Sequence, residues 1–169
     1  MQNKYYIFAI LGIIIITTMS IINSNKAHVI GKVTWEQWVE FSGWKIDVNL
    51  KGGDSYDFDK NIVKELNEIL AHDKSYSFVL FSGSWCGDSR IEMPNIIDLI
   101  NHLELNDSQF EIIGVSRDKI EPRQYIQKYG MEYVPTLIIL HNSTEIGRLI
   151  ESPEKTWEDD ILDIIQKHQ

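Results

Sequence analysis

"YSFVLFSGSWCGDSRIEMP", residues 76–94, holds the only cysteine of the 169-residue chain and the turn on which its organisation hangs. Tyr76 to Phe81 reads as a short buried strand, an apolar run too brief for a helix. A helix beginning at Cys86 and running to about Leu103 turns Ile96, Ile97, Leu99, Ile100 and Leu103 inward. A cysteine at a helix start faces backbone N–H groups that lack intrahelical partners, and the positive end of the helix dipole favours its thiolate. The thiolate is the form that attacks disulfides. A lone cysteine is commonly a small buried hydrophobe. Gly87, Asp88 and Ser89 follow this one immediately, however, and that composition argues for a surface turn.

Outward from this stretch the same alternation continues. Asp59 can cap a helix in which Ile62, Val63, Leu66, Ile69 and Leu70 form one apolar stripe. "FEIIGV", residues 110–115, is the next strand. Glu121-Pro122 opens a third helix by placing proline where no backbone donor is required, and Gly130 ends it. Strands 136–140 and 145–150 are joined by the turn residues of "HNST", and Ser152-Pro153 introduces a last helix carrying Trp157, Ile161, Leu162, Ile164 and Ile165. The order β-α-β-α-β-β-α, preceded by a helix, predicts an α/β fold with a mixed four-stranded sheet flanked by helices on both faces. Strands joined through a helix are expected to run parallel, and the closing hairpin antiparallel.

With Cys86 at the first turn after a strand, this organisation resembles the thioredoxin-like fold. "WCGDS" is similar to that family's WCxxC with the second cysteine replaced by Ser89, and Pro94, five residues later, matches its helix-kinking proline. "KYGMEYVPT", residues 128–136, resembles the family segment with a cis-proline, which gives Pro135 that role; "EIGRL" resembles the hairpin partner strand. The likeness defines a thioredoxin-like domain over residues 59–169, after an extension over 29–58 that has no clear counterpart. Two departures stand out: Ser89, and Leu80 at the position where many thioredoxins keep a buried aspartate assigned to proton transfer.

The resemblance implies that Cys86 is the nucleophile, with Ser89 able to donate a hydrogen bond to it and Pro135 facing it. Substrate would bind on Trp85, as an apolar shelf, and on Val134 and Pro135, where the backbone of Val134 pairs with an extended client segment. Gly87 and Asp88 complete the motif, and the Asp88 carboxylate opposes a second negative charge nearby. A serine hydroxyl cannot release a mixed disulfide. Release then falls to glutathione or another small thiol, to a partner protein, or to a second cysteine of the client. No bound cofactor or metal is expected. The function implied is monothiol exchange of the CxxS type, as reductase, isomerase or deglutathionylating activity on exported proteins. The alternative is a redox-inactive module of the same fold that binds partner proteins.

Export is read from "YYIFAILGIIIITTMSII", Tyr5 to Ile22, eighteen residues without a charge and of membrane length. Residues 1–28 are therefore expected to be a signal peptide or a retained membrane anchor, with the domain on the extracytoplasmic side. In "VTWEQWVEFSGWKIDVNL", residues 33–50, Thr34 and Gln37 form a capping box for a short helix through Trp35, Trp38, Val39 and Phe41. "KIDVNL" then alternates as a strand would. Asp54, Asp57 and Asp59 lack the spacing of a calcium loop, and His28, His72, His102, His141 and His168 show no ligand spacing. The formal net charge is −9, and the charged side chains of residues 1–26 are both lysines, so the domain is more acidic still. Phosphate backbones repel such a surface, which excludes nucleic acid as a partner.

Overall fold

The computed structural model describes residues 28–44 and 56–168. In chain order they form β1 (Gly31–Val33), α1 (Trp35–Ser42), α2 (Lys60–His72), β2 (Tyr76–Ser82), α3 (Gly87–His102), β3 (Phe110–Gly114), α4 (Arg123–Tyr129), β4 (Thr136–His141), β5 (Thr144–Ile150) and α5 (Trp157–His168). The apolar run before residue 28 and the strand expected in "KIDVNL" lie outside the described residues. Among the described residues no helix is long and apolar enough to cross a membrane.

Among the described residues the sheet has five strands in the order β1-β3-β2-β4-β5, one more than expected. The extra strand is β1, which pairs antiparallel with β3 from Gly31 opposite Gly114 to Val33 opposite Ile112. Three residues are too few to display a two-residue period. The pairing depends on Gly114, where a Cβ would overlap the backbone carbonyl of Val29.

Strand direction also differs from expectation. β2 and β3, joined through α3, are parallel, but β4 runs antiparallel to β2 although α4 lies between β3 and β4. Ser82 pairs with Gly114 and Phe81 with Thr136, so the chain leaves β3 and enters β4 at the same end of the sheet. A seven-residue helix is about 10 Å long and does not carry the chain back along a strand. That end of the sheet is where β2 delivers Cys86.

The alternation of β2 divides the core. Phe78 and Leu80 pack with α2, α3, α5, Trp38 and Trp44, whereas Val79 and Phe81 pack with Tyr129, Met131 and Val134 around α4. Caps set the helix boundaries. Thr34 and Gln37 form the capping box of α1, and the Asp59 carboxylate accepts from the Asn61 N–H at 2.8 Å to open α2. Pro122 is the N-cap of α4 and not its first residue, and the Glu121–Pro122 bond is cis. α5 starts beyond Ser152-Pro153, at Trp157, because Thr156 Oγ1 accepts from the Asp159 N–H at 3.2 Å. The β4–β5 hairpin turns through Asn142 and Ser143, both with positive φ, as a two-residue type I′ loop requires.

At the opposite end of the sheet, Asp73 ends α2 and accepts from the Ser75 hydroxyl at 2.6 Å and the Ser75 N–H at 2.9 Å, while His141 Nε2 lies 2.9 Å away. The Ser75 bonds first, and His141 after them, hold the Asp73 carboxyl down at about 2. A carboxyl depressed in the folded chain stabilises it above the ordinary value of about 4. That contribution fades as pH falls from there through about 2. The urea midpoint of Asp73→Asn is therefore expected to lie below that of the parent at neutral pH. The gap should narrow below pH ~4 and close only below pH ~2. Matched urea titrations across that range measure it; a gap that stays constant with pH contradicts the assignment.

Candidate active site around Cys86

Cys86 is the N-cap of α3, with extended backbone at φ −90° and ψ 133°. Its N–H donates to the Gly83 carbonyl at 2.9 Å, which closes the turn, and its own carbonyl accepts the first helical bond from Arg90 at 3.2 Å. The Cys86 side chain makes no cap bond to α3, so the first-turn N–H groups are left without a bond from the N-cap residue. The Cys86 side chain is half-buried, and its thiol donates to the Val134 carbonyl at 3.3 Å. The Val134–Pro135 bond is cis. Cys86, Val134 and Pro135, from separate segments, thus meet at the end of the sheet where β2 stops and β4 begins.

The other motif residues fall into two sets. Gly87 and Asp88 are exposed in the first turn of α3. Ser89 is fully buried, and its hydroxyl accepts from the Gly83 N–H at 3.2 Å. Sequence reasoning expected that hydroxyl to donate to the sulfur; the bond it makes ties α3 back to the loop before it. Leu80 is fully buried among the apolar side chains of the larger core, so β2 places no carboxylate there to exchange protons with the thiol.

Trp85 is half-buried beside Cys86, and its indole N–H donates to the Val115 carbonyl at 2.8 Å. Its ring lies over Gly83, where a Cβ would come within 2.8 Å of the indole. Glycine is thus what allows Trp85 to fold back over the strand end.

Several residues at the site were not singled out by the sequence. Ser84 accepts from the Val29 N–H through Oγ at 3.2 Å and from the Trp44 indole through its carbonyl at 2.8 Å. Tyr133, just before Val134, is about half exposed. Lys119 sits 5.3 Å from the centre of the Tyr133 ring and donates to the Glu132 carbonyl at 2.5 Å, which joins the loop after β3 to the loop before β4. Adjacency of Tyr133 to "VPT" was the available signal. For Ser84 there was none, because its partners are remote in sequence.

The thioredoxin family model matches residues 54–163, well over half of the chain. The chain belongs to the thioredoxin family. This thioredoxin-family chain has no match among curated proteins. Solved structures similar to it include a mutant thioredoxin from Halobacterium salinarum, 17% identical, covering 66% of this chain and 87% of that one with a TM-score of 0.38. A Fasciola hepatica thioredoxin is 19% identical over 63% of this chain and 93% of its own, with a TM-score of 0.40. A protein of unknown function from Pseudomonas aeruginosa is 14% identical over 83% and 95%, with a TM-score of 0.47. The family match begins after Trp44, so β1, α1 and both bonds to Ser84 come from residues that precede it.

Proposed function

We propose that this protein carries out monothiol disulfide exchange on client proteins through Cys86. The observation that carries the reading is a single half-buried thiol at a helix N-cap, 3.3 Å from the Val134 carbonyl, with Ser89 in place of a second thiol. In the first step the Cys86 thiolate, its proton released to solvent, attacks one sulfur of a client disulfide or of glutathione disulfide. A new S–S bond forms as the old one breaks, and the electron pair leaves with the departing thiolate. In the second step an external thiolate, from glutathione, another small thiol, a partner protein or a second client cysteine, attacks the mixed disulfide and returns Cys86 as thiolate. Electrons balance across both steps without a bound cofactor.

Trp85 beside the sulfur and the half-exposed Tyr133 next to Val134 offer apolar surface, and the Val134 backbone offers pairing for an extended client segment. The uncharged stretch within residues 1–28, as signal or anchor, would direct this chemistry to exported proteins, and the acidic charge disfavours nucleic acid.

The test is to incubate the folded protein with glutathione disulfide, quench with acid and alkylator, and weigh the intact chain. The parent is expected to gain one glutathione and Cys86→Ser none. A parent that gains nothing overturns the reading. A second reading, a redox-inactive binding module, draws on the fully buried Leu80. It requires Cys86→Ser to retain full activity in the cell.

A further inference from the structure

We propose that Trp44 is a positioning residue for Cys86: its indole N–H holds the Ser84 carbonyl and so sets the turn from which the sulfur attacks. The inference rests on the thiol-exchange reading above, and it assigns a task to a segment that lies outside the family match.

Ser84 stands two residues before the nucleophile, in a loop with few bonds of its own. Its neighbours are tied inward: Gly83 N–H to Ser89, Cys86 N–H to Gly83, and the Trp85 indole to Val115. Ser84 is held from the other side, its carbonyl by Trp44 at 2.8 Å and its hydroxyl by the Val29 N–H at 3.2 Å. Trp44 also reaches past Cys86, since the Arg90 guanidinium lies 5.8 Å from the centre of its ring. Arg90 is the residue whose N–H closes the first helical bond on Cys86. One indole therefore contacts the chain on both sides of the sulfur.

Trp38 supplies the contrast that separates positioning from packing. The two indoles meet edge to face with centroids 5.3 Å apart, and both are buried in the larger core. Among the described residues the Trp38 Nε1 has no hydrogen-bond partner, whereas the Trp44 Nε1 is bonded to the loop. A tryptophan needed only for its volume has no use for a donor aimed at Ser84. Attack on a disulfide needs the thiolate aligned with the bond it breaks, so freedom in the 84–86 turn lowers the fraction of encounters that react.

The experiment uses the full chain with Trp44→Phe and Trp38→Phe, at a temperature where thermal melts show each variant folded. The readout is the second-order rate at which glutathione disulfide adds glutathione to Cys86, followed by intact mass. Trp44→Phe is expected to slow this rate by about three- to tenfold, the worth of one lost hydrogen bond. Trp38→Phe is expected to melt earlier yet react at the parent rate. Amide exchange at Cys86 should quicken in the first variant only. If Trp44→Phe does not fold, benzothienylalanine at position 44 keeps the ring and replaces N–H by sulfur, and carries the same expectation. A parent rate in the Trp44 variant, or equal slowing in the Trp38 variant, overturns the proposal while leaving thiol exchange standing. A parent chain inert to glutathione disulfide overturns both.

Discussion

Ser89→Cys is expected to shorten the life of a mixed disulfide on Cys86 by about a hundredfold when external thiol is held at tens of micromolar, because a tethered thiol acts at millimolar effective concentration or above. The geometry favours closure. Cys86 is the N-cap of α3 and Ser89 its third helical residue, two positions close enough that in a capping box each side chain reaches the other's backbone N–H. A thiol at 89 would attack Cys86 in the mixed disulfide, form an 86–89 disulfide and release the client as thiolate. Since the chain has no other cysteine, the product is read directly as two thiols lost without dimer formation. The substitution has a cost. The Gly83 N–H, which donates to Ser89 Oγ at 3.2 Å in a fully buried position, would face a weak sulfur acceptor. A buried donor left poorly paired costs about 1–3 kcal/mol, so the kinetics are best measured well below the melting temperature. A mixed disulfide as durable in Ser89→Cys as in the parent would mean that serine is not what prevents resolution.

Those features of the fold that depend on local chemistry were legible from residue order. Asp59 before an apolar stripe gave α2, Thr34 with Gln37 gave α1, and the motif at Cys86 placed the start of α3 within a residue. The features that escaped depend on encounters across the chain. β1 is too short to carry a period, and its place is decided by the room that Gly114 leaves for Val29. The direction of β4 follows from which end of the sheet the loop around α4 re-enters, which no residue in the loop encodes alone. At the site, the spacing of Cys86, Ser89 and Pro135 was readable, but the bonding of Ser89 was not. A hydroxyl can donate or accept, and only the position of the Gly83 N–H decides which. Trp35, Trp38 and Trp44 stand close together in the sequence. That one of them spends its N–H on Ser84, forty residues away, is a fact of the fold.

Glu158→Ala is expected to destabilise the domain by about 3 kcal/mol, the worth of two hydrogen bonds to a charged acceptor. Glu158 is 1% exposed, and its carboxylate accepts from the Asp59 N–H at 2.9 Å and the Tyr56 hydroxyl at 3.0 Å. The same hydroxyl accepts from the Trp157 N–H at 3.0 Å, so one carboxylate and one phenol join the start of α2 to the start of α5. Burial, with the neighbouring Glu158 acting in the same direction, pushes the Tyr56 hydroxyl up to about 12, and the phenol keeps its proton as a donor throughout neutral pH. In Glu158→Ala both donors lose their acceptor at once, and the melting temperature should fall by about 10 °C. Tyr56→Phe leaves the Asp59 bond in place and removes the acceptor of the Trp157 N–H, so it should cost less, about 1–2 kcal/mol. Calorimetry on the two variants fixes the order, and a larger loss in Tyr56→Phe would show that the carboxylate is not the centre of the pair. Below its melting point, Glu158→Ala should add glutathione to Cys86 at the parent rate, since neither of its bonds touches the 83–86 loop. Stability and reactivity would then separate in opposite senses in two variants, with Glu158→Ala losing the first and Trp44→Phe the second.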